Sequence, residues 1–170
     1  AMNRNMYFSS VLGCNLGMFY KRRDYSRVVN GRNPIVAHEY LGESVEGKTV
    51  LITDDIIASG ESMLDIAQEM KKRGAAKVIA NSTFPLFTAG LDAFDKAYAD
   101  GTISAVLGTN LTYRSHDLLS REWYYDVDVS KYIAYFIAAL NHDMSVTSIC
   151  DPHDKIANLL RENGISPDNK

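Results

Sequence analysis

The chain has 170 residues, a formal net charge of -3, and 46% hydrophobic and 23% charged residues. This is the composition of a globular protein, and it argues against disordered and fibrous classes. A chain of this length can bury roughly 70% of its unfolded surface in one core, which predicts a single domain. The balanced charge gives no sign of a general nucleic-acid binder. No apolar run reaches the roughly 18 residues of a membrane span, so we expect no membrane partner.

The cysteines and histidines give no sign of a metal site. Cys14 and Cys150 stand alone in the sequence, and we interpret them as reduced thiols of a cytoplasmic protein. The N-terminus lacks the apolar stretch of a secretory signal. The histidines share no ligand spacing, so no ligand role is expected for any of them. They are His38, His116, His142 and His153.

The first predicted elements are one helix and two extended segments. Residues 4–12 have helical character, and residues 18–20 and 35–40 have extended character. Between the two extended segments lies the basic run Lys21-Arg22-Arg23. From composition alone, we predict that this run is a solvent-exposed turn, because runs of charged residues usually face water.

The middle of the chain then alternates between strand and helix patterns. The apolar, β-branched run at 49–53 predicts a strand that ends at Asp54-Asp55. Apolar residues after it recur at helical spacing. They are Met63, Ile66, Ala67 and Met70. Ser62, with an acidic residue three positions later, predicts the cap of this helix, and Gly74 predicts its end.

The same alternation continues toward the C-terminus. The further predictions are strands at 77–83, 103–109 and 123–129, a helix around 91–98, a polar loop at 110–122, and a helix at 133–140 capped by Ser130. Strand–helix alternation implies right-handed crossovers, so the predicted fold class is α/β, with a mostly parallel sheet flanked by helices. Ligands of such sheets bind beyond the carboxyl ends of the strands, which points to the residues after Ile52.

The segment after this strand joins two carboxylates to a short Ser/Gly loop that opens a helix. Free N–H groups at a helix start bind anions, and Gly60 lets the backbone approach a ligand closely. Ser59 and Ser62 add hydroxyl donors, and Asp54 and Asp55 offer acceptors for hydroxyl groups. A sugar phosphate needs this combination. The alternative is that the carboxylates form a strand-ending turn and the second serine only caps the helix; spacing alone leaves both open.

This strand, carboxylate pair and hydroxyl-rich loop resemble the phosphoribosyl-diphosphate motif of type I phosphoribosyltransferases. The wider chain resembles the ribose-phosphate diphosphokinase (phosphoribosyl-diphosphate synthetase) family. The shared features are Lys21-Arg22-Arg23, a glycine-bounded segment at 42–50, a Gly-Ala turn at 74–78, the pair Thr109-Asn110 and a closing helix near 131–140. The resemblance covers nearly the whole chain, but only the second half of the family's two-domain protein.

The resemblance implies a type I phosphoribosyltransferase-like fold and a specific reaction. A diphosphoryl group would pass from ATP to the anomeric hydroxyl of ribose 5-phosphate, giving phosphoribosyl diphosphate and AMP. Asp54 and Asp55 would hold the ribose hydroxyls, directly or through Mg²⁺ as metal ligands. Lys21 and Arg23 would be catalytic, on a mobile loop that neutralises the transferring group. The implied 5-phosphate cradle comprises Ala58, Ser59, Gly60, Glu61 and Ser62.

The chain departs from the family pattern at three places. Ala58 stands where the family has an acidic residue, Glu61 adds a negative charge near the phosphate, and no histidine follows Thr83. Two alternative functions therefore stay open. A nucleobase phosphoribosyltransferase would need a hood segment for the base, which is not evident. A non-catalytic, synthetase-associated regulatory protein fits the change at position 58, but it does not fit the retention of Lys21, Arg23, Asp54 and Asp55.

We predict one phosphoribosyltransferase-like domain at residues 1–162, the C-terminal half of a two-domain protein, followed by a frayed tail at 163–170. The chain opens almost directly into a helix without a preceding strand, which suggests a fragment. The expected partners are ribose 5-phosphate, phosphoribosyl diphosphate and ATP, with Mg²⁺ as cofactor and no nucleic acid or membrane. A homo-oligomer is also expected.

Overall fold

The structure is a computed structural model that describes residues 2–23 and 35–165. Its elements, in chain order, are α1 (Met2–Leu12), β1 (Met18–Arg23), β2 (Ile35–Leu41), β3 (Thr49–Ile57), α2 (Glu61–Lys72), β4 (Lys77–Pro85), α3 (Asp92–Ala99), β5 (Ala105–Thr109), α4 (His116–Leu119), β6 (Tyr124–Val127), α5 (Ser130–Asn141), α6 (Thr147–Cys150) and α7 (His153–Glu162). No helix of this described part is both long and apolar enough to span a bilayer.

The larger sheet has four parallel strands in the order β3-β4-β5-β6. This confirms the predicted α/β fold class. Because the strands follow one another in space as in sequence, right-handed crossovers carry α2 and α3 over the same face of the sheet. All four strands end at one edge, so the residues that follow β3, β4 and β5 meet there.

The core lies between that face and the two helices. Val78, Val106 and Phe94 are fully buried, and Met70 and Trp123 are nearly so. The rings of Phe94 and Trp123 stack with their centroids 5.5 Å apart. The indole Nε1 of Trp123 donates a hydrogen bond of 2.7 Å to Asp95, which satisfies the one polar atom of a buried side chain.

The second sheet is an antiparallel hairpin of β1 and β2. The rings of Phe19 and Tyr40 contact each other at 5.3 Å and pack against the core, which anchors the base of the hairpin. Lys21 and Arg23 lie on β1, with their backbone paired opposite β2. The prediction that Lys21 and Arg23 lie on a mobile loop is therefore wrong, because antiparallel pairing extends β1 to Arg23. Residues 24–33 lie outside the described residues.

Three predicted boundaries are also wrong. β3 does not end at the aspartates but runs to Ile57, because pairing with β4 continues to Pro85. The N-cap residue of α2 is Gly60 rather than Ser62, and the N-cap residue of α5 is Val129 rather than Ser130. The predicted polar loop at 110–122 contains the short helix α4, and the prediction missed α6 and α7.

The predicted end of α2 is confirmed. Gly74 has a φ of 86°. Its N–H donates to the carbonyl of Lys71, and the N–H of Ala75 donates to the carbonyl of Met70. These two bonds form a Schellman motif, which needs the left-handed conformation that glycine adopts at little cost.

Candidate functional site

The two aspartates lie inside the carboxyl-terminal half of β3. In the sheet register Asp54 lies beside Ser82 of β4, and Ser82 lies beside Gly108 of β5. Asp54 is exposed, and its Oδ1 accepts a hydrogen bond of 2.8 Å from the N–H of Asp55. Because successive strand residues project to opposite faces, the two carboxylates do not lie side by side on one surface.

The loop that follows β3 is held by the loop that follows β4. The carbonyl of Ile57 accepts hydrogen bonds from the N–H groups of Leu86 and Phe87, at 2.9 and 3.1 Å. The carbonyl of Ala58 accepts a third, of 2.9 Å, from the N–H of Thr88. The start of the predicted cradle is therefore fixed by backbone bonds rather than free to move. No local sequence pattern predicts these bonds, because their partners are about 30 residues apart along the chain.

Gly60 turns the chain from this loop into α2. It has a φ of 82°, in the left-handed region that favours glycine. A Cβ built at this position would lie 2.3 Å from an atom of the Phe94 ring. Two independent reasons, conformation and space, thus require glycine where the helix begins.

The first turn of α2 carries the remaining cradle residues. Gly60, which precedes this helix, has no side chain to cap it, and the helix N-terminus carries a partial positive charge. The N–H of Glu61 makes a long contact of 3.5 Å with the hydroxyl of Ser59. The side chain of Glu61 is exposed.

One cavity brings two of the predicted site residues together. It has a volume of about 600 Å³, and both Asp54 and Ser62 line it. Its other walls are mostly apolar and come from α1, α2, β3, the base of the hairpin and the segment before it. They are Asn5, Leu16, Gly17, Met18, Phe19, Leu41, Ile52, Thr53, Met63 and Ile66. Of the other predicted site residues, Asp55 and residues 58–61 are not among its lining residues.

The predicted catalytic pair is placed by its backbone. Lys21 pairs with His38 and Arg23 with Ile35 across the hairpin. Both follow Phe19, whose side chain lines the cavity, by two and four positions along the same strand. The base of the hairpin therefore lies at the cavity.

The donor set suits a magnesium ion that is shared with a substrate. Across residues 2–23 and 35–165, no group of three or more His, Cys, Asp or Glu side chains lies close enough to hold a metal ion alone. Mg²⁺, however, commonly binds through one or two carboxylates together with substrate phosphates and water. The exposed Asp54 at a cavity wall fits that mode, and a dedicated protein cage is not needed.

A second polar cluster lies at the carboxyl-terminal edge of the same sheet, in the segments that follow β5 and β6. The amide nitrogen of Asn110 donates to Asp128 at 2.6 Å and to Ser130 at 2.8 Å. Its amide oxygen accepts from the N–H of Val129 at 3.0 Å. Hydrogen bonds from Ser130, and then from Asn110, lower the pKa of Asp128 below its ordinary value. Of this cluster, the sequence indicates Asn110 through the pair Thr109-Asn110, and Ser130 only as a helix cap.

Comparison with known proteins places this geometry among phosphoribosyl transferases. The profile of the phosphoribosyl transferase domain family matches residues 4–97, more than half of the chain. The ribose-phosphate pyrophosphokinase of Sulfolobus acidocaldarius is 33% identical over 110 residues, which are 65% of this chain and 35% of that protein. The same enzyme of Wolinella succinogenes is 27% identical over 146 residues, 86% of this chain and 43% of that protein.

Two further similarities bear on the fold and on the alternatives. The crystal structure of phosphoribosylpyrophosphate synthetase from Mycobacterium smegmatis superposes with a TM-score of 0.65 at 20% identity, covering 84% of this chain and 42% of that one. At that identity the match shows a shared fold. The orotate phosphoribosyltransferase of Oceanobacillus iheyensis is 38% identical over 63 residues, 37% of this chain and 30% of that protein. The chain spans less than half the length of the pyrophosphokinases that it matches.

Proposed function

Because this chain belongs to the phosphoribosyl transferase domain family, we propose that it is the C-terminal, phosphoribosyltransferase-like part of a ribose-phosphate diphosphokinase. The whole protein would transfer a diphosphoryl group from ATP to ribose 5-phosphate. The similarity to pyrophosphokinases of several organisms supports this function. The observation that carries it is the cavity that Asp54 and Ser62 share, because it joins a carboxylate to the start of a long helix.

The sugar would bind through the carboxylate of Asp54. This exposed carboxylate lines the cavity and can accept hydrogen bonds from two neighbouring hydroxyls of a ribose. Asp55 lies on the opposite face of the strand and is half-buried, so it would not contact the same ribose. Mg²⁺, bound through Asp54, would supply positive charge against the phosphates.

The 5-phosphate would bind at the start of α2. Ala58, Ser59 and Gly60 form the turn, and backbone N–H groups of the first helical turn would donate to the phosphate oxygens. Ser62 adds a hydroxyl at the cavity wall. Glu61 opposes an anion by charge, but its side chain is exposed to water, which screens that repulsion.

Transfer of the diphosphoryl group would depend on the basic run of β1. Lys21 and Arg23 would neutralise charge on the transferring group as the anomeric oxygen of the sugar attacks and AMP leaves. Such chemistry rests on alignment of donor and acceptor, and the chain covers less than half of its relatives' length. We therefore expect turnover to require further polypeptide, with a cytoplasmic homo-oligomer as the working form.

A nucleobase phosphoribosyltransferase is the second candidate, favoured by the match to an orotate enzyme. Such an enzyme would consume phosphoribosyl diphosphate rather than make it. The two functions share the sugar-phosphate site and differ in what occupies the far side of the anomeric carbon. Dependence of binding on a free nucleobase would favour the second candidate.

Calorimetry on the purified chain tests the proposal. We expect ribose 5-phosphate and phosphoribosyl diphosphate to bind weakly, and more tightly with Mg²⁺. Asp54→Asn and Ser62→Ala should each weaken binding, whereas Asp92→Asn, at an exposed carboxylate on α3, should not. We also expect no AMP release from ATP and ribose 5-phosphate by the chain alone.

Two results would contradict the proposal in different ways. Equal binding by wild type, Asp54→Asn and Ser62→Ala would remove the site assignment. Sustained AMP release that depends on ribose 5-phosphate would show that the chain needs no further polypeptide for turnover.

A further inference from the structure

Phe87 has a backbone conformation that bulky residues rarely adopt. Its φ is 46°, and apart from glycines only Phe87 and Asp143 have a left-handed φ in the described part of the chain. Asp143 follows the end of α5, where a left-handed residue is common. Phe87 ends no helix, and its Cβ crowds the backbone in this conformation. Backbone strain of this kind persists only where the surroundings impose it, and it clusters at functional sites.

The ring of Phe87 is anchored in the aromatic core. The residue is 8% exposed, whereas Phe84 and Leu86 before it are 38% and 47% exposed. Its ring meets the ring of Phe94 edge-on, with the two centroids 5.0 Å apart. The centroid of the Trp123 ring lies 5.8 Å from that of Phe87. Burial of the ring therefore offsets the cost of the left-handed backbone.

This conformation directs three consecutive N–H groups at one target. The N–H groups of Leu86 and Phe87 donate to the carbonyl of Ile57, and that of Thr88 donates to the carbonyl of Ala58. In an extended strand successive N–H groups point to opposite sides, so they could not all face the end of β3. A left-handed residue turns the chain so that successive N–H groups converge, as in backbone nests. The conformation of Phe87 therefore holds the loop after β4 against the loop after β3.

The same bonds fix the direction of two further N–H groups. In a trans peptide bond, the C=O of one residue and the N–H of the following residue point in opposite directions. Since the carbonyls of Ile57 and Ala58 face the loop after β4, the N–H groups of Ala58 and Ser59 face away from it. Within residues 2–23 and 35–165, neither of these N–H groups has a hydrogen-bond acceptor. Both are therefore available to a ligand at the start of α2.

We propose that Phe87 is a positioning residue of the candidate phosphate cradle. Its left-handed backbone and buried ring hold the loop after β3, and thereby orient the N–H groups of Ala58 and Ser59 toward a phosphate oxygen. Phe94 packs on Phe87 and also meets the Cβ position of Gly60, so the aromatic core sets the cradle at two points. Phe87 acts through the backbone and is not itself a binding residue. This inference rests on the proposed function, to which it adds how the phosphate donors are held.

Three variants at position 87 separate the ring from the backbone conformation. Phe87→Leu keeps an apolar side chain that is unbranched at Cβ. Phe87→Ile has a side chain of the same composition and size, but its branched Cβ disfavours a left-handed backbone more strongly. Phe87→Gly adopts that conformation at little cost but has no side chain to bury in the core. Ile103→Val is the control, because this core residue is 1% exposed and does not belong to the cradle.

NMR titration of each folded protein with inorganic phosphate measures the effect. In wild type, we expect the amide resonances of Ala58 and Ser59 to shift on binding. Phe87→Leu and Ile103→Val should bind phosphate within about threefold of wild type. Phe87→Ile and Phe87→Gly should bind it about tenfold more weakly. The amide of Thr88 should also exchange faster in these two variants, because it no longer donates stably to the carbonyl of Ala58.

The possible failures are distinguishable. Wild-type shifts at Ala58 and Ser59, with equal affinity in all three variants at position 87, would overturn this inference and leave the proposed function intact. Phosphate binding by wild type that shifts neither amide would also overturn it. No binding of phosphate or ribose 5-phosphate by wild type would contradict the proposed function, and this inference with it. If Phe87→Ile does not fold, equal affinity in Phe87→Gly and Phe87→Leu is the result that overturns the inference.

Discussion

The ring of Phe94 occupies the position that the Cβ atom of any other residue at position 60 would take. A Cβ at Gly60 would be 2.3 Å from Cε2 of that ring. Gly60 also has a φ of 82° and directly precedes α2. Phe94, a core residue of α3, therefore restricts the position before α2 to glycine, and the restriction is steric.

This contact makes Gly60→Ala more destabilising than the same change at a left-handed glycine with open space around its Cβ position. Gly90→Ala is the matched control, because Gly90 has a φ of 86° and nothing within 4 Å of its Cβ position. We expect the control to cost about 1 kcal/mol from conformation alone. Gly60→Ala should cost roughly 1–3 kcal/mol more, because the ring must move. Denaturant unfolding of both variants measures the difference.

A double-mutant cycle identifies the cause. Adding Phe94→Leu to Gly60→Ala should recover part of the loss, because the ring atoms nearest to the new methyl group are gone. Strictly additive effects of the two changes would show that the contact does not determine the cost.

Tyr124 places a buried hydroxyl in the core without a hydrogen-bond partner among the described residues. Burial, and then the charge of Asp126, raise the pKa of Tyr124 to about 12, against the opposing effect of Arg114. The unfolded chain ionises this group near pH 10, so folding stability should fall as the pH rises from about 10 to about 12. Tyr124→Phe should remove this alkaline loss.

The same variant should be at least as stable as wild type at neutral pH. Removing an unsatisfied buried hydroxyl relieves a desolvation cost of about 1 kcal/mol. Thermal unfolding at pH 7 and pH 11 measures both effects. Tyr113→Phe, at a tyrosine that is 88% exposed, is the control and should change neither. A marked loss of stability in Tyr124→Phe at pH 7 would show that the hydroxyl has a partner.

Asp128 should contribute to the acid sensitivity of the fold. Hydrogen bonds from Ser130 and Asn110 lower the pKa of Asp128 below the ordinary 3.8. A lowered folded-state pKa gives stability that is present above that ordinary value and is lost as the pH falls through the folded value. The free energy of unfolding of Asp128→Asn should therefore fall less steeply with decreasing pH, below about pH 4, than that of wild type. Acid titrations monitored by circular dichroism test this, with Asp92→Asn as the control. Identical acid slopes would contradict it.

Glu61 should weaken anion binding at the start of α2. Removing its charge with Glu61→Gln should tighten phosphate binding about two- to fivefold, because a like charge in the first turn is lost. Asp65→Asn, an exposed charge change further along the same helix, should have a smaller effect. Titration of phosphate against the amide resonances of this turn measures both. No change in Glu61→Gln would mean that its carboxylate faces away from the anion.

The elements that sequence alone predicted correctly are those whose cause is local. Val50, Leu51 and Ile52 form a continuous apolar run that contains two β-branched residues, which indicates a strand. Met63 and Met70 are seven positions apart and share one face of a helix, so their spacing indicates a helix. The end of α2 at Gly74 was equally predictable, because its hydrogen bonds join neighbours in sequence.

The site itself depended on residues distant in sequence. The position of Asp54 and Asp55 after an apolar run indicates a candidate site. Only the pairing with β4 shows that β3 continues through these two residues. Ser62 was predicted to cap α2, yet Gly60 holds that position because Phe94 packs against it. Strand ends and helix starts are set by which partner is present, and that information does not lie in the neighbouring residues. Periodicity within an element is local and can be read from the sequence, whereas the end of β3, the start of α2 and the cavity that joins Asp54 to Ser62 arise only when separate elements pack together.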